Sequence, residues 1–187
     1  QTPFLIDAGV GTYTRQTFSK DRYTIWTMQS NYHNLPLING VPQKHGATYK
    51  ATQVQADKRK NTFTANIATA YPAEAEVESW IRSYSLQKGQ LRISDSFRLT
   101  TAKQPNQINF MTWGQVNTEI PGKIQLEVKG KKAFIEYDKQ LFDVKTETIP
   151  LTDPRLSNVW GKSIYRITLT ATNIYKTGNY SFIIKKQ

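Results

Sequence analysis

The chain has 187 residues, with 25 Lys and Arg against 14 Asp and Glu, a formal net charge of +11. Its 38% hydrophobic and 12% aromatic content is enough for a real core and excludes a fully disordered chain. The absence of cysteine excludes a disulfide framework, a thiolate nucleophile and a cysteine-rich zinc site, and no apolar run approaches the roughly 18–20 residues of a membrane-spanning helix.

The first apolar run, Phe4-Leu5-Ile6, follows Gln1-Thr2-Pro3 at once, so the chain reads as cut from something longer, its first residues already inside a strand. Arg22 to Met28 alternates, with Tyr23 and Ile25 on one face and Arg22, Thr24 and Trp26 on the other, and predicts a strand. Thr62 to Ala68 alternates more cleanly and predicts a half-buried strand. Pro72-Ala73-Glu74-Ala75-Glu76 predicts a single helical turn, with Pro pre-set for the first position and acids near the N-terminus. Val77 to Leu86 predicts a strand that turns through Lys88-Gly89-Gln90 into Leu91-Arg92-Ile93-Ser94. Ile124 to Val128 and Ala133 to Tyr137 predict a second hairpin around Lys129-Gly130-Lys131-Lys132. Ile164 to Thr170 and Tyr180 to Ile184 close the chain as two more strands, joined by a predicted turn at Thr177-Gly178-Asn179. About a dozen short strands, with no repeat, low-complexity tract or internal linker, predict an all-β single domain over residues 1–187, an antiparallel β-sandwich.

The positive charge suits nucleic acid, anionic lipid or acidic polysaccharide, and equally suits a solvated basic surface. Lys58-Arg59-Lys60, Lys129 to Lys132 and Lys185-Lys186 fall at predicted turns or at the terminus, where solvated loop charge is the plain reading. They do not interleave with aromatics as a base-stacking platform would, so no nucleic-acid partner is predicted. The sequence has no Gly-x-Ser-x-Gly elbow, no phosphate-binding or dinucleotide-binding glycine motif and no His-Glu-x-x-His. Nothing in the spacing of the acids favours a glycosidase pair. Asp7 stands where Phe4-Leu5-Ile6 gives way to Ala8-Gly9-Val10-Gly11. A carboxylate there accepts backbone N–H groups in the turn, is paired, or binds a metal. His33 reads as a structural histidine or a ligand, and His45, beside Lys44, as a residue of an exposed loop.

The order of features also resembles a known family. Pro3-Phe4-Leu5-Ile6-Asp7-Ala8-Gly9-Val10-Gly11-Thr12-Tyr13 is similar to the Pro-x-Leu-Ile-Asp-x-Gly-x-Gly-x-Tyr segment of the heparinase II/III family of polysaccharide lyases. Ser30-Asn31-Tyr32-His33-Asn34 resembles its Ser-x-x-His-Asn motif, and Leu35 to Gln43 its continuation to a Gly-x-x-Gln turn. Ala70-Tyr71-Pro72, Trp80-Ile81-Arg82 and Asp95 resemble the downstream pattern; beyond residue 100 only Trp160-Gly161 and Tyr165-Arg166-Ile167 do.

The resemblance implies an N-terminal α/α toroid followed by a C-terminal β-sandwich, of which this chain is most, lacking the first strand or strands. It implies a parent lyase that cleaves uronate-containing polysaccharide, such as heparan sulfate or alginate, by β-elimination, in the periplasm or outside the cell. The family's catalytic tyrosine and Asn or His come from the toroid, so no catalytic residue carries over. Its His-x-His-x-Asp strand lies just upstream of the segment matching Pro3 to Asp7. Asp7 and His33 match a carboxylate and an imidazole ligand of a divalent metal, Zn²⁺ by donor chemistry, with a third ligand from that upstream strand. Tyr13, Arg15, Arg22, Asn34 and Gln43 flank these positions and are the candidates for contact with sugar hydroxyls, uronate or sulfate, although Asn34 and Tyr13 also suit turn-fixing and packing. The expected partners are the acidic polysaccharide and the toroid of the same protein, and the isolated sandwich is expected to be inactive. The alternative is a non-catalytic β-sandwich module that binds acidic carbohydrate.

Overall fold

The computed structural model describes residues 2–187, which form two facing antiparallel sheets. The smaller sheet has the order β1 (Pro36–Leu37), β6 (Gln107–Thr112), β11 (Ser163–Ala171), β10 (Phe142–Pro150). The larger has the order β2 (Thr52–Asp57), β3 (Thr62–Asn66), β4 (Val77–Gln87), β5 (Gln90–Leu99), β12 (Thr177–Lys186), β9 (Lys131–Tyr137), β8 (Lys123–Val128), β7 (Gln115–Ile120). The all-β sandwich of a dozen strands expected from the period-two pattern is therefore the fold.

The two tight hairpins form where Lys-Gly was read as a turn. Lys88 and Gly89 have φ of 50° and 72°, and Lys129 and Gly130 have φ of 50° and 73°. Two left-handed residues in succession match the twist of the flanking strands, and glycine takes the second position without steric cost. Between the sheets lies a chain of aromatic contacts. Trp80 stacks on Phe97 at 4.9 Å, Phe97 meets Tyr180 at 4.9 Å, and Tyr180 meets Phe142 at 4.7 Å. Phe182 then joins Phe142 to Phe110, at 5.4 and 5.5 Å. A second apolar cluster covers the outer face of the smaller sheet, where Met111, Ile149 and Ile164 meet Ile6, Ala8 and Leu156.

Inside this apolar layer sits an ion pair. Arg82 on β4 and Asp95 on β5 are each 1% exposed and directly opposite in the ladder. Arg82 Nε and a terminal nitrogen each donate to one Asp95 oxygen at 2.7 Å, and the Trp80 indole N–H donates to the same carboxylate at 2.7 Å. Burial alone disfavours the guanidinium charge, but the Asp95 carboxylate outweighs it and holds Arg82 more firmly protonated than usual.

Three expectations need correction. Arg22 to Met28 is not a strand. Residues 16–33 form successive 3₁₀ turns, in which Arg22, Ile25 and Met28 N–H bond the carbonyls of Ser19, Arg22 and Ile25, and the Ser19 hydroxyl caps Asp21 N–H. Repeated i to i+3 bonding overrides an alternation that exists only in composition. Residues 3–8 are not a ladder strand either: Ile6 N–H bonds Met111 carbonyl at 2.9 Å, and side chains take up the other described carbonyl bonds of this stretch. The last two strands make no hairpin. β11 lies in the smaller sheet and β12 in the larger, and Thr177-Gly178-Asn179 opens β12 opposite Arg98, Phe97 and Ser96. Finally, the single helical turn expected after Pro72 is present as a 3₁₀ turn over Ala73–Ala75, but the α-helix α1, Pro154–Trp160, was not anticipated. Its signals are present in the sequence: Asp153 as N-cap, Pro154 in the first turn, and Gly161 beyond the end.

Replacing Asp95 by Asn keeps the shape and leaves Arg82 as an uncompensated buried charge. Urea denaturation is expected to show a loss of about 3–5 kcal/mol; a loss under 1 kcal/mol, the value of a surface pair, would contradict this account.

Candidate functional site

Residues 3–12 form a strap: Phe4 enters the core between the sheets, Ile6 bonds the backbone of β6, and Ile6 and Ala8 pack on the outer face of the smaller sheet. Side-chain donors take its carbonyls one by one: the Trp113 indole donates to Pro3, the Thr112 hydroxyl to Phe4, the Asn34 amide to Ile6 and the Trp160 indole to Ala8, at 2.6 to 3.0 Å. The far end is tied to α1. Asp153 accepts from the Thr12 hydroxyl at 2.7 Å and from Arg155 N–H at 2.9 Å. The Thr12 backbone and hydroxyl donors are the main cause that holds the Asp153 carboxyl below its ordinary value. A Cβ at Gly11 would overlap Asp153 Oδ2, so a larger residue there would have to displace the carboxylate that ties the strap to α1.

This strap and the run of 3₁₀ turns bring Asp7 and His33 together. The Asp7 carboxylate is solvent-exposed; one oxygen accepts Gly9 N–H at 2.9 Å, closing the turn, and the other meets His33 Nδ1 at 2.6 Å. The other ring nitrogen, Nε2, lies 3.1 Å from the carbonyl oxygen of Thr27. Both ring nitrogens thus face acceptors, a carboxylate oxygen and a backbone carbonyl, which together fix the orientation of the ring. Of the three readings left open for Asp7, turn acceptor and paired carboxylate are both realised, one on each oxygen. Among the described residues no group of three or more His, Cys, Asp or Glu gathers, so the donor set here is one carboxylate and one imidazole.

Asn34 sets the spacing of this pair. Its amide donates to Ile6 carbonyl at 2.9 Å and accepts Met111 N–H at 2.8 Å, so both ends of the side chain are spent on backbone. Its own carbonyl accepts from Arg82 at 3.0 Å, which links the turn to the buried ion pair. Nearby, the buried Tyr71 phenol donates to Pro36 carbonyl at 2.6 Å, and burial raises it well above the ordinary phenol range.

The other candidate residues scatter around this centre. Gln43 N–H bonds the Ser30 hydroxyl at 2.8 Å, which holds it beside the turn that carries His33. Arg22 places its guanidinium 5.3 Å from the Tyr23 ring centroid. Tyr13 is 54% exposed, under the Arg155 guanidinium at 4.9 Å and beside Phe18 at 5.8 Å, and Arg15 is exposed just ahead of the first 3₁₀ turn. Thr27, Arg82 and Arg155 were not singled out for the site. Thr27 acts through its carbonyl and has no side-chain signature, whereas Arg82 and Asp95 belong to the quoted pattern without a stated role. Among the described residues no helix is long and apolar enough to cross a membrane.

No protein-family model matches the chain, and no curated protein resembles it in sequence. Solved structures do match its fold. Heparan sulfate lyase HepC from Pedobacter heparinus matches with a TM-score of 0.69 at 14% identity, over 98% of this chain and 28% of that one. A mutant of the same enzyme gives 0.68 at 14% identity, and the heparinase III BT4657 gene product gives 0.68 at 11% identity, each again over 98% of this chain and 28% of the other. At these identities the likeness is one of fold, and the chain spans just over a quarter of the length of these structures. This is the fold expected from the heparinase-like motifs.

Asn34→Ala removes both clasps at once and leaves Ile6 carbonyl and Met111 N–H without partners. A stability loss of about 2–4 kcal/mol is expected from two such orphaned groups, together with a shifted His33 ring signal in NMR; an unmoved His33 signal would show that Asn34 does not set the pair.

Proposed function

We propose that this chain is the C-terminal β-sandwich of a heparinase II/III-like polysaccharide lyase of the periplasm or extracellular space. Its parent acts on an acidic, uronate-containing polysaccharide such as heparan sulfate or alginate. The observation that carries the reading is the Asp7–His33 contact. Two residues 26 positions apart, matched independently to the family's motifs, meet at 2.6 Å on a fold shared with heparan sulfate lyases.

In β-elimination a base removes the proton at C5 of the uronate, the C4–O bond breaks, and the leaving oxygen takes a proton, which leaves a C4–C5 alkene conjugated to the carboxylate. A tyrosine and an Asn or His of the toroid would supply much of this chemistry, together with a histidine of the His-x-His-x-Asp strand, which lies outside residues 1–187. The sandwich supports the cleft and holds half of a metal site. Asp7 and His33 Nδ1 would be its two ligands, with a third from outside residues 1–187. Zn²⁺ suits this N and O donor set and would crosslink the strap to the turns. The N–O distance of 2.6 Å is that of a direct hydrogen bond, so ligation requires the two groups to part slightly and the proton between them to leave.

The chain alone is expected to produce no rise in ultraviolet absorbance from the conjugated alkene with heparin, heparan sulfate, chondroitin or alginate. Two of three ligands hold Zn²⁺ weakly at best, so a large excess of Zn²⁺ is expected to shift the ring nitrogens of His33 and leave those of His45 in place. Turnover that survives repurification and disappears in an Asp7→Ala, His33→Ala double variant would overturn the supporting role. A His33 ring that ignores Zn²⁺ would overturn the half-site.

A further inference from the structure

A groove of about 440 Å³ opens between the 3₁₀ turns and residues 37–45, and neither Asp7 nor His33 lines it. Its volume lies within the roughly 300–1,000 Å³ range of small-molecule sites. One wall is a stack that the sequence does not announce: the rings of Tyr23 and His45 lie parallel within 7°, centroids 3.6 Å apart. Leu37 and Pro42 add apolar surface, while the side chains of Asn31 and Gln43 bring both donors and acceptors. The walls are held from behind. Gln29 reaches the carbonyls of Tyr23 and Thr24 at 3.4 and 3.3 Å, and the Ser30 hydroxyl bonds Gln43 N–H at 2.8 Å.

The exposed His45 ring, backed by Tyr23 and set beside uncharged amides, matches the surface of a pyranose, whose C–H face is apolar and whose rim carries hydroxyls that both donate and accept. The charge around the groove selects among sugars. Among the described residues no carboxylate lines it. Arg22 and Lys44 are not part of the lining but adjoin it in sequence, Arg22 beside Tyr23 and Lys44 between Gln43 and His45. An anionic sugar in the groove therefore meets no opposing charge and has two cations on neighbouring residues.

We propose that this groove is a saccharide subsite for a short uronate-containing stretch of acidic polysaccharide, separate from the Asp7–His33 pair. The choice of an acidic polysaccharide rests on the lyase reading above; the groove itself does not. Its function would be to hold the chain of sugars at a distance from the reacting unit, which adds affinity and register.

The test is NMR titration of the isotope-labelled chain with oligosaccharides from heparin and alginate, and with a neutral glucan. Amide and ring signals of Tyr23, Asn31, Gln43 and His45 are expected to shift with an acidic oligosaccharide. His45→Ala and Asn31→Ala are each expected to weaken its binding about five- to tenfold, about 1–1.4 kcal/mol, with an unchanged thermal unfolding curve. Absence of binding, shifts confined to other surfaces, or unweakened variants would overturn the groove assignment while leaving the lyase reading to the turnover assay. Equal occupancy by the neutral glucan would instead overturn the acidic ligand.

Discussion

A guanidinium that is 1% exposed has to be paired, and the pairing of Arg82 organises much of this domain. Two of its nitrogens lie on Asp95, which fixes β4 against β5, and a third donates to the carbonyl of Asn34. From Asn34 the order passes outward to Ile6 and Met111, and so to the strap that carries Asp7. The residue before Asn34 is His33. A charge buried between the sheets is thus connected, through one asparagine, to the two groups that meet on the surface.

Placing a site on irregular segments normally makes it mobile, since a strap and a run of 3₁₀ turns lack the mutual support of a ladder. Here the deficit is offset by side chains. Two indoles, a hydroxyl and an amide take strap carbonyls, and Asp153 pins the far end to α1. The large sheet, the aromatic core and the covered outer face of the small sheet provide a rigid base. What remains exposed is a carboxylate against an imidazole and, apart from them, a groove walled by the Tyr23–His45 stack and by amide side chains.

Much of this was legible from residue order. Alternation marked β3, β4, β5, β8 and β9, and Lys-Gly marked both tight turns, because a period of two and a left-handed glycine are local properties. Tyr23, Ile25 and Thr27 also alternate, yet lie on 3₁₀ turns, since alternation does not record where the backbone hydrogen bonds go. The β11 and β12 strands were visible while their separation into two sheets was not, because that depends on contacts across the whole chain. Asp7 and His33 emerged from motif resemblance and lie in contact. The Thr27 carbonyl that orients His33, and the stack of His45 on Tyr23, leave no trace in sequence: one is backbone, and the other joins residues 22 positions apart across an irregular loop.

The central claim is that this basic sandwich serves an acidic polysaccharide rather than polyanions in general. The most direct measurement compares binding of the chain to heparin, alginate and duplex DNA over one series of salt concentrations. Salt weakens every contact with phosphate, sulfate or carboxylate, so comparison at matched salt is what discriminates. The account predicts that a uronate polysaccharide stays bound at a salt concentration that has already released the DNA. Release of all three at the same salt would contradict it and reduce the +11 charge to an unspecific surface.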